Sequence, residues 1–381
     1  MKQLNPVKVA VVGCGVISDI YLDTMLDRFA ILDVAGCSDL NDAAARRMAD
    51  KYSILVLTMD QILADPEIEI VVNLTPPAAH YPVVKQALLG GKHVYTEKPL
   101  ASTFAQAQEL AELAEERGLR LGSAPDTFLG AAGQTARFAL DSGLIGDVTG
   151  CVAILNRDGG WMAEKYPYTA KPGGGIGMDV GIYYITMLLS LLGPVAETCG
   201  FWETRNPERT HYSLANSNWG EAYTTESENL VSASFRFANG VLGVMHMNAN
   251  STQNEQPQVI LYGTQGLMYL PDPNNFGGEV RIALKGQTEP FVLPATHAFA
   301  ENSRGLGVAE MAWAIRSGGN HRASGKLALH VVEFLQGIAR SAEDKRFYQM
   351  RTSFARPQPL PRGYLDPSYS NSNPENGLAI R

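Results

Sequence analysis

Short apolar runs alternate with helical segments over the first third of the chain. The apolar runs are residues 7–12, 32–37, 70–74, 93–96 and 119–122. Between residues 104 and 116, apolar side chains recur at helical spacing on one face, while glutamate and glutamine occupy the other. That helix is expected to end near Gly118. Strands that alternate with helices in this way predict an α/β domain built on a parallel sheet with crossover helices.

The pattern changes beyond residue 125. A helix is predicted over 131–140, and residues 230–248 fit two strands joined at Asn239-Gly240, the dipeptide most typical of a tight hairpin. Further strand-like runs at 259–262, 267–270 and 280–284 indicate a second α/β domain with a largely antiparallel open sheet, and a helix is predicted over 324–341. We therefore expect domains at 1–124 and 125–355, followed by an extended tail at 356–381 that is rich in Pro, Asn and Ser.

Charge and cysteine content exclude several classes of protein. The chain has 31 basic and 39 acidic residues, and its formal net charge is −8. Without a basic stripe, such a chain has no long-range attraction to nucleic acid or to an anionic membrane. The four cysteines lack the paired spacing of a zinc site or a disulfide framework, so no metal is predicted. The N-terminus lacks the apolar core of a signal peptide, and no apolar run reaches 18 residues. These features predict a cytoplasmic protein.

A glycine-rich turn, Gly-Cys-Gly-Val-Ile-Ser, follows the first predicted strand. In a dinucleotide-binding turn the first glycine, here Gly13, allows the tight bend, and the second, Gly15, lets the backbone approach a pyrophosphate. Ser18 stands where a third small residue allows close packing of the helix. The motif alone is equally compatible with a plain glycine turn. Its position after the first strand of an alternating pattern favours a pyrophosphate site that includes Val16 and Ile17.

Asp39 ends the second predicted strand, about 20 residues beyond the glycine turn. A carboxylate at this point accepts hydrogen bonds from ribose hydroxyls and repels a 2′-phosphate. No arginine follows before Arg46. The sequence therefore predicts NAD as cofactor in preference to NADP. A helix N-cap is the alternative role for Asp39, and both roles are compatible.

Lys98 follows the predicted strand 93–96 and lies between Glu97 and Pro99. A cation at the end of such a strand faces the crevice where open α/β sheets bind ligands. Glu97, a cofactor or a substrate hydroxyl would each help Lys98 to keep its charge. The alternative is a surface lysine in front of a helix that begins at a proline.

A second glycine-rich stretch, beginning at Gly173, opens an apolar helix that is predicted to run through Leu192. Asp179 and Tyr183 are four residues apart, so on a regular α-helix they project from the same face. The structural alternatives are a carboxylate at a helix N-terminus for Asp179 and core packing for Tyr183.

Together these motifs resemble the Gfo/Idh/MocA oxidoreductases, which include glucose-fructose oxidoreductase and inositol dehydrogenase. The resemblance rests on the first glycine turn, on Glu97-Lys98-Pro99 and on the stretch from Gly173 to Asp179. It implies an N-terminal Rossmann dinucleotide-binding domain, a C-terminal substrate domain and a homo-oligomer, dimeric or tetrameric, formed through the C-terminal sheet. The implied reaction is reversible hydride transfer between nicotinamide and a carbinol carbon of a sugar, glycoside or polyol. The resemblance weakens over residues 200–320 and in the tail.

The resemblance also implies roles for individual residues. Lys98 binds and polarises the reacting oxygen, Asp179 holds a neighbouring hydroxyl, and Tyr183 exchanges the proton. Tyr183 stands where the family more often has histidine. The glucose-fructose oxidoreductase branch also has tyrosine at this position. The implied cofactor contacts are Gly13, Gly15, Val16, Ile17, Asp39, Thr75, Pro76, His80, Glu97 and Lys98. Within the stretch at 75–80, Pro77 replaces the asparagine that is common in the family.

The segment 156–171 is dense in aromatic and polar side chains. Carbohydrate sites use aromatic faces against C–H surfaces and fixed polar groups against hydroxyls, so Trp161 and Tyr166 are candidate substrate contacts. Asp126, just beyond the last predicted strand of the first domain, is a further candidate beside Asp179. A packed loop or a subunit contact is the alternative for all of these positions. His330, on an amphipathic helix, is expected to be a buried structural histidine.

Two other functions fit the same motifs. One is a glycoside-processing enzyme that uses tightly bound NAD for transient oxidation. The other is a catalytically silent NAD-binding regulatory protein, against which the presence of Lys98 and Asp179 argues.

Overall fold

The computed structural model describes residues 5–212 and 218–361, which form two compact units. The first unit contains, of the described residues, 5–131, 297–329 and 358–361. The second unit contains residues 132–296 and 330–357. The helices of the chain are α1 Ser18–Arg28, α2 Asp42–Tyr52, α3 Met59–Ala64, α4 Pro77–Leu89, α5 Phe104–Glu116, α6 Ala131–Asp141, α7 Gly160–Lys165, α8 Ile182–Leu192, α9 Leu306–Ser317 and α10 Gly325–Asp344.

The first unit is built on a six-stranded parallel sheet. Its strands are β1 Val7–Val12, β2 Leu32–Ser38, β3 Leu55–Val56, β4 Ile68–Asn73, β5 His93–Thr96 and β6 Leu121–Ser123. They are ordered β3-β2-β1-β4-β5-β6, which is the doubly wound order of a Rossmann domain. Five of these strands were predicted from the sequence because they are continuous apolar runs, as strands covered on both faces are. The two residues of β3 are exposed and gave no such signal.

The order of the strands determines where a ligand can bind. The chain runs outward from β1 to β2 on one side and from β4 to β5 on the other. The loops after β1 and β4 therefore diverge and leave a crevice at the carboxyl ends of these two neighbouring strands. Hydrogen bonds tie these strand ends together, since Gly13 N donates to Ser38 O (2.8 Å), Leu74 N to Val12 O (2.7 Å) and Glu97 N to Asn73 O (2.8 Å).

The second unit contains a nine-stranded sheet. Its strands are β7 Val148–Asn156, β8 Val195–Glu203, β11 Leu230–Phe237, β12 Leu242–Asn248, β13 Gln258–Gly263, β14 Gly266–Leu270, β15 Val280–Leu284, β16 Phe291–Leu293 and β17 Tyr348–Gln349, in the order β16-β15-β14-β13-β7-β12-β11-β8-β17. All neighbours are antiparallel except β12 and β7. Two short strands, β9 Glu208–Thr210 and β10 Ala222–Thr224, form a separate hairpin-like pair. The predicted largely antiparallel sheet is confirmed.

The hairpin predicted at Asn239-Gly240 joins β11 to β12, and Gly240 has the positive φ of +91° that this turn requires. Side chains alternate along β12, with Gly243, Met245 and Met247 buried and Leu242 and Val244 exposed. This sheet therefore has one covered face and one open face.

The predicted tail is described only as far as residue 361, and the part from 350 to 361 contains neither helix nor strand. Leu360 within it is buried, and its carbonyl contacts His297 Nε2 at 2.9 Å. None of the ten described helices has both the length and the hydropathy that a bilayer crossing requires.

Candidate active site and cofactor site

The glycine turn between β1 and α1 has the shape that a pyrophosphate site needs. Gly13 has a φ of +101°, and a Cβ at this position would lie 2.6 Å from the carbonyl carbon of Leu74, so the turn requires glycine. A Cβ at Gly15 would meet nothing within 4 Å, and Val16 is 78% exposed, so the outer surface of the turn is open. Ser18 is buried and its hydroxyl donates to Gly15 O at 2.6 Å. Ile17 is the N-cap residue of α1, and no described side chain caps this helix.

Asp39 lies at the carboxyl end of β2, beside the glycine turn. Its Oδ2 accepts a hydrogen bond from Cys14 N at 2.7 Å, and its Oδ1 accepts one from Asn41 N at 2.8 Å. The N-cap of α2 is Asn41, whose side chain accepts from the N–H groups of Ala43 and Ala44. Asp39 thus braces the turn instead of capping the helix. Each carboxylate oxygen has a second lone pair, which leaves acceptor capacity for ribose hydroxyls.

Two turns at the ends of β4 and β5 are joined through buried polar side chains. Asn73 Nδ2 donates to Thr96 Oγ1 at 2.9 Å, and Thr75 Oγ1 donates to Asn73 Oδ1 at 2.7 Å. His80 lies in the first turns of α4 with its ring between Pro99 O (2.6 Å from Nδ1) and Thr75 O (2.8 Å from Nε2). Burial lowers the pKa of His80, whereas the two carbonyl contacts raise it. The ring of His80 is fully buried, which places it behind the turn as a support, while Pro76 is exposed.

Lys98 is half-buried directly beyond β5. Its backbone N–H donates to Glu97 Oε2 at 2.9 Å, and Glu97 Oε1 accepts from the hydroxyl of Tyr21 at 2.8 Å. Glu97 is only 8% exposed, so this carboxyl is held on both oxygens and braces the backbone at Lys98. Lys98 thus follows the carboxyl end of β5, and its contact with a ligand stays a prediction.

Asp126 lies at the beginning of a short 3₁₀ segment and is 1% exposed. Its Oδ2 accepts from Gly307 N at 2.9 Å, and burial raises its pKa to about 6. These contacts give Asp126 a structural position inside the first unit. A substrate contact for its side chain remains a prediction that this buried position does not favour.

In the second unit, Asp179 lies within a π-helical turn, Gly177–Gly181, that precedes α8. The side chain is 8% exposed, and Tyr168 Oη donates to its Oδ1 at 3.1 Å. The predicted helix through Leu192 is confirmed from Ile182 onward, but its first turn is wider than an α-helix. Such π-turns are frequent at functional sites. Asp179 lies in the wider turn and Tyr183 lies on the regular α-helix. The α-helical spacing assumed between these two residues therefore does not hold over the whole interval.

Tyr183 is 7% exposed on the first turn of α8. The adjacent Tyr184 is fully buried, and its hydroxyl donates to Asp272 Oδ1 at 3.3 Å. Burial raises the pKa of the Tyr184 phenol well above its ordinary value.

The aromatic loop lies in the second unit. Trp161 is half-buried on α7, with the guanidinium carbon of Arg157 at 5.6 Å from its ring centroid. Tyr166 is half-buried next to Tyr168, with ring centroids 6.3 Å apart. Tyr168 was part of this predicted loop, but its contact with Asp179 was not foreseen. His330 is buried as expected, accepts a hydrogen bond from Val195 N at 3.0 Å and contacts Thr352 Oγ1 at 2.9 Å.

Two candidate functional residues, Asn73 and Glu228, were not identified from the sequence. Asn73 joins the turns after β4 and β5, and its position at a strand end was a usable signal. Glu228 is 6% exposed and accepts a hydrogen bond from Met178 N at 3.1 Å. Glu228 lies 50 residues from Met178 in sequence, and no local motif signals this contact.

The first unit fits NAD on three counts: an open glycine turn that tolerates only glycine at its bend, an uncapped helix N-terminus behind that turn, and a carboxylate at the end of β2. Among residues 5–212 and 218–361, no group of three or more His, Cys, Asp or Glu side chains is arranged to hold a metal ion. The fold and this site define a Rossmann dinucleotide-binding protein.

Comparison with known proteins places the chain within a family. The family model described as "Oxidoreductase family, NAD-binding Rossmann fold" matches residues 7–124, and the model described as "GFO/IDH/MocA C-terminal domain" matches residues 134–269. The chain belongs to the Gfo/Idh/MocA oxidoreductase family.

The individual relatives share a third or less of their aligned residues with this chain. An uncharacterized oxidoreductase of Schizosaccharomyces pombe is 32% identical over 200 residues, which are 50% of this chain and 53% of the relative. The D-xylose dehydrogenase of Paenarthrobacter nicotinovorans is 26% identical over 160 residues, 40% of each chain. These alignments span about half or less of each relative's length. The solved structure of levoglucosan dehydrogenase in complex with NADH has a TM-score of 0.77 at 20% identity, covering 91% of this chain and 100% of that one. At this identity, the likeness shows a shared fold.

Proposed function

We propose that this protein is an NAD-dependent dehydrogenase that oxidises a CH–OH carbon of a sugar, glycoside or polyol. NAD, when bound, supplies the acceptor for the hydride at nicotinamide C4. The chain itself must then bind the carbinol, orient it and move one proton. The names of the xylose and levoglucosan dehydrogenases support a carbohydrate substrate.

One observation carries the proposal. Lys98 lies half-buried at the ligand-binding edge of the first unit's sheet, and the twice-bonded carboxyl of Glu97 braces its backbone. A braced cation at the edge that also holds the open glycine turn is suited to polarise a substrate oxygen while NAD is bound.

The remaining roles follow from the resemblance. We assign Asp179 to hold a hydroxyl next to the reacting one, because an anionic carboxylate is a strong acceptor for two hydroxyl hydrogens. Tyr183 is assigned to exchange the carbinol proton through its phenol. Trp161 and Tyr166 are proposed to contact the C–H faces of the substrate.

A panel of sugars, glycosides and polyols tests the proposal when NADH formation is followed by absorbance at several NAD concentrations. We expect NADH to accumulate with at least one neutral polyhydroxylated substrate, and NAD to be used better than NADP. Product formation without NADH release and without added NAD would instead support the glycoside-processing alternative. NAD binding by calorimetry with no turnover of any compound would support the silent alternative.

We also propose that the open face of the second unit's sheet joins copies of this chain, as a dimer or tetramer. Along one register of this face the side chains are Ser234, Val244, Val152, Ile260 and Tyr269. All five are at least partly exposed, and Val244 is 43% exposed. Such an apolar row is more typical of an interface than of a solvated surface.

Val244→Glu tests the oligomer, because it places a charge in the middle of this apolar row. We expect wild type to elute as a dimer or tetramer in size-exclusion chromatography with light scattering, and Val244→Glu to elute as a monomer. Leu89→Glu, at an exposed apolar position of the first unit, is the control and should leave the mass unchanged. A monomeric wild type would rule out the proposed interface.

A further inference from the structure

A cavity of about 40 Å³ in the second unit is lined by two carboxyl groups, those of Asp179 and Glu228. Their residues are 8% and 6% exposed. Asp179 already has an assigned role, whereas Glu228 has none. Two carboxyls that share so small a cavity influence each other's charge, because water screens them poorly.

Glu228 holds the backbone that leads into Asp179. Its carbonyl oxygen accepts from Ile176 N at 3.0 Å, and its Oε1 accepts from Met178 N at 3.1 Å. Two N–H groups of this stretch, which the beginning of a helix leaves without helical partners, are thus satisfied by one distant residue. The position of Asp179, the next residue, depends on these contacts.

The glycines of this stretch make room for Glu228. A Cβ at Gly175 would lie 2.2 Å from Glu228 Cδ and equally close to Glu228 O, which is an impossible contact. A Cβ at Gly177 would lie 3.3 Å from Glu228 Oε1 and 2.7 Å from the Trp202 ring. The glycine-rich motif therefore serves the approach of Glu228 as well as the turn itself.

Burial, with a smaller contribution from the charge of Asp179, raises the pKa of Glu228 to about 7, in spite of the N–H groups that lower it. The other titratable groups on the cavity are Arg209 and Tyr223. The Arg209 guanidinium donates to neutral oxygens, those of the Asn206 carbonyl at 3.2 Å and the Asn250 side chain. Near neutrality Glu228 therefore gains a negative charge beside Asp179.

We propose that Glu228 is a positioning residue for Asp179. Its carboxyl fixes the turn before Asp179, and its ionisation brings a second negative charge into the cavity, which displaces the Asp179 carboxylate and weakens substrate binding at alkaline pH. The inference rests on the proposed function, because it is there that Asp179 is assigned to hold a substrate hydroxyl.

The pH dependence of KM tests this role, with the substrate that the panel identifies and with saturating NAD. We expect the KM of wild type to rise roughly 10-fold between pH 6 and pH 8.5, which corresponds to about one pKa unit of interaction. The ratio of the wild-type kcat to the kcat of Glu228→Gln should stay constant over the same pH range. Glu228→Gln keeps an acceptor oxygen without the charge, so its KM should change less than 2-fold. The control is Glu226→Gln on the same loop, where Glu226 is exposed and paired with Lys171. It should behave as wild type. A KM of Glu228→Gln that rises with pH as in wild type overturns the proposal.

Urea unfolding at pH 5 and pH 8 needs no turnover, so it separates a failure of this inference from a failure of the proposed function. The folded-state pKa of Glu228 lies above its ordinary value of 4.5, so folding binds a proton and stability falls as pH rises from about 4.5 to about 7. Relative to Glu228→Gln, the unfolding constant of wild type should increase roughly 10²-fold from pH 5 to pH 8. If the unfolding constant of wild type relative to Glu228→Gln is the same at both pH values, the proposal is overturned. If Glu228→Gln does not fold, Glu228→Asp, one methylene too short for the turn, should raise KM at every pH, and a wild-type KM in that variant overturns the proposal.

Discussion

The two units hold their candidate residues by different means. In the first unit, Gly13, Thr75 and Lys98 follow three parallel strands, and short hydrogen bonds between neighbouring strand ends hold them. In the second unit, Asp179 belongs to a π-turn that follows no strand and is held by Tyr168 and by contacts of Glu228 with the preceding turn. A site at strand ends is built by sheet topology, whereas a site on a helix turn needs contacts from remote parts of the chain.

The electrostatic character differs in the same way. Around Lys98 the bracing groups are one carboxyl bonded on both oxygens and a histidine whose pKa burial lowers. Around Asp179 the bracing group is itself a buried carboxyl with a pKa of about 7. We therefore expect the chemistry that depends on Asp179 in the second unit to be sensitive to pH near neutrality.

The largest effect is expected from Lys98→Met. Methionine keeps much of the stem volume but removes the charge that stabilises the carbinol oxygen as it loses its proton, so turnover should fall by roughly 10³-fold or more. Calorimetry should show nearly unchanged NAD binding. The control is Lys85→Met, which removes a half-buried lysine paired with Glu109 and should keep full activity. Normal turnover by a folded Lys98→Met variant would remove the first unit's cation from the mechanism.

A smaller effect is expected from Tyr183→Phe, which removes one hydroxyl from the second unit. If this phenol exchanges the proton, the single-turnover rate of NADH formation should fall by roughly 10²-fold, with substrate affinity preserved. The matched change, Tyr184→Phe, removes a buried hydroxyl bonded to Asp272 and should affect stability more than rate. The reverse result, an active Tyr183→Phe and an inactive Tyr184→Phe, would assign Tyr183 to core packing.

The smallest effect is expected from Asp39→Ala in the first unit. Loss of the ribose acceptor and of the bond to Cys14 N should weaken NAD binding roughly 10-fold, about 1.4 kcal/mol, and improve the relative use of NADP. Asp39→Asn keeps an acceptor oxygen, so its NAD affinity should lie between those of wild type and Asp39→Ala. Asp33→Ala, an exposed change on the same strand, serves as the control. Unchanged NAD affinity and unchanged preference in Asp39→Ala would show that the ribose binds elsewhere.

Most of the first unit was predictable from sequence. Strands covered on both faces have continuous apolar sequences, so they can be recognised directly. A parallel sheet then brings the loops after neighbouring strands to one edge. The positions of the glycine turn, of Asp39 and of Lys98 followed from that rule. For Asp126 the rule gives only a place beyond the last strand. The structure shows that this residue is buried and accepts a hydrogen bond from Gly307 N, and its contact with substrate stays a prediction.

In the second unit the sequence determined the strands β11 to β15, the hairpin at Asn239-Gly240 and the apolar helix α8, because periodicity and turn chemistry are local properties. It gave no prediction for β7, β8, β16 and β17, the other described strands of the large sheet. Only the tertiary structure decided that Asp179 lies in a π-turn and that Glu228 approaches it closely. Buried carboxyls owe their positions and proton affinities to groups distant in sequence, so no local pattern reveals them.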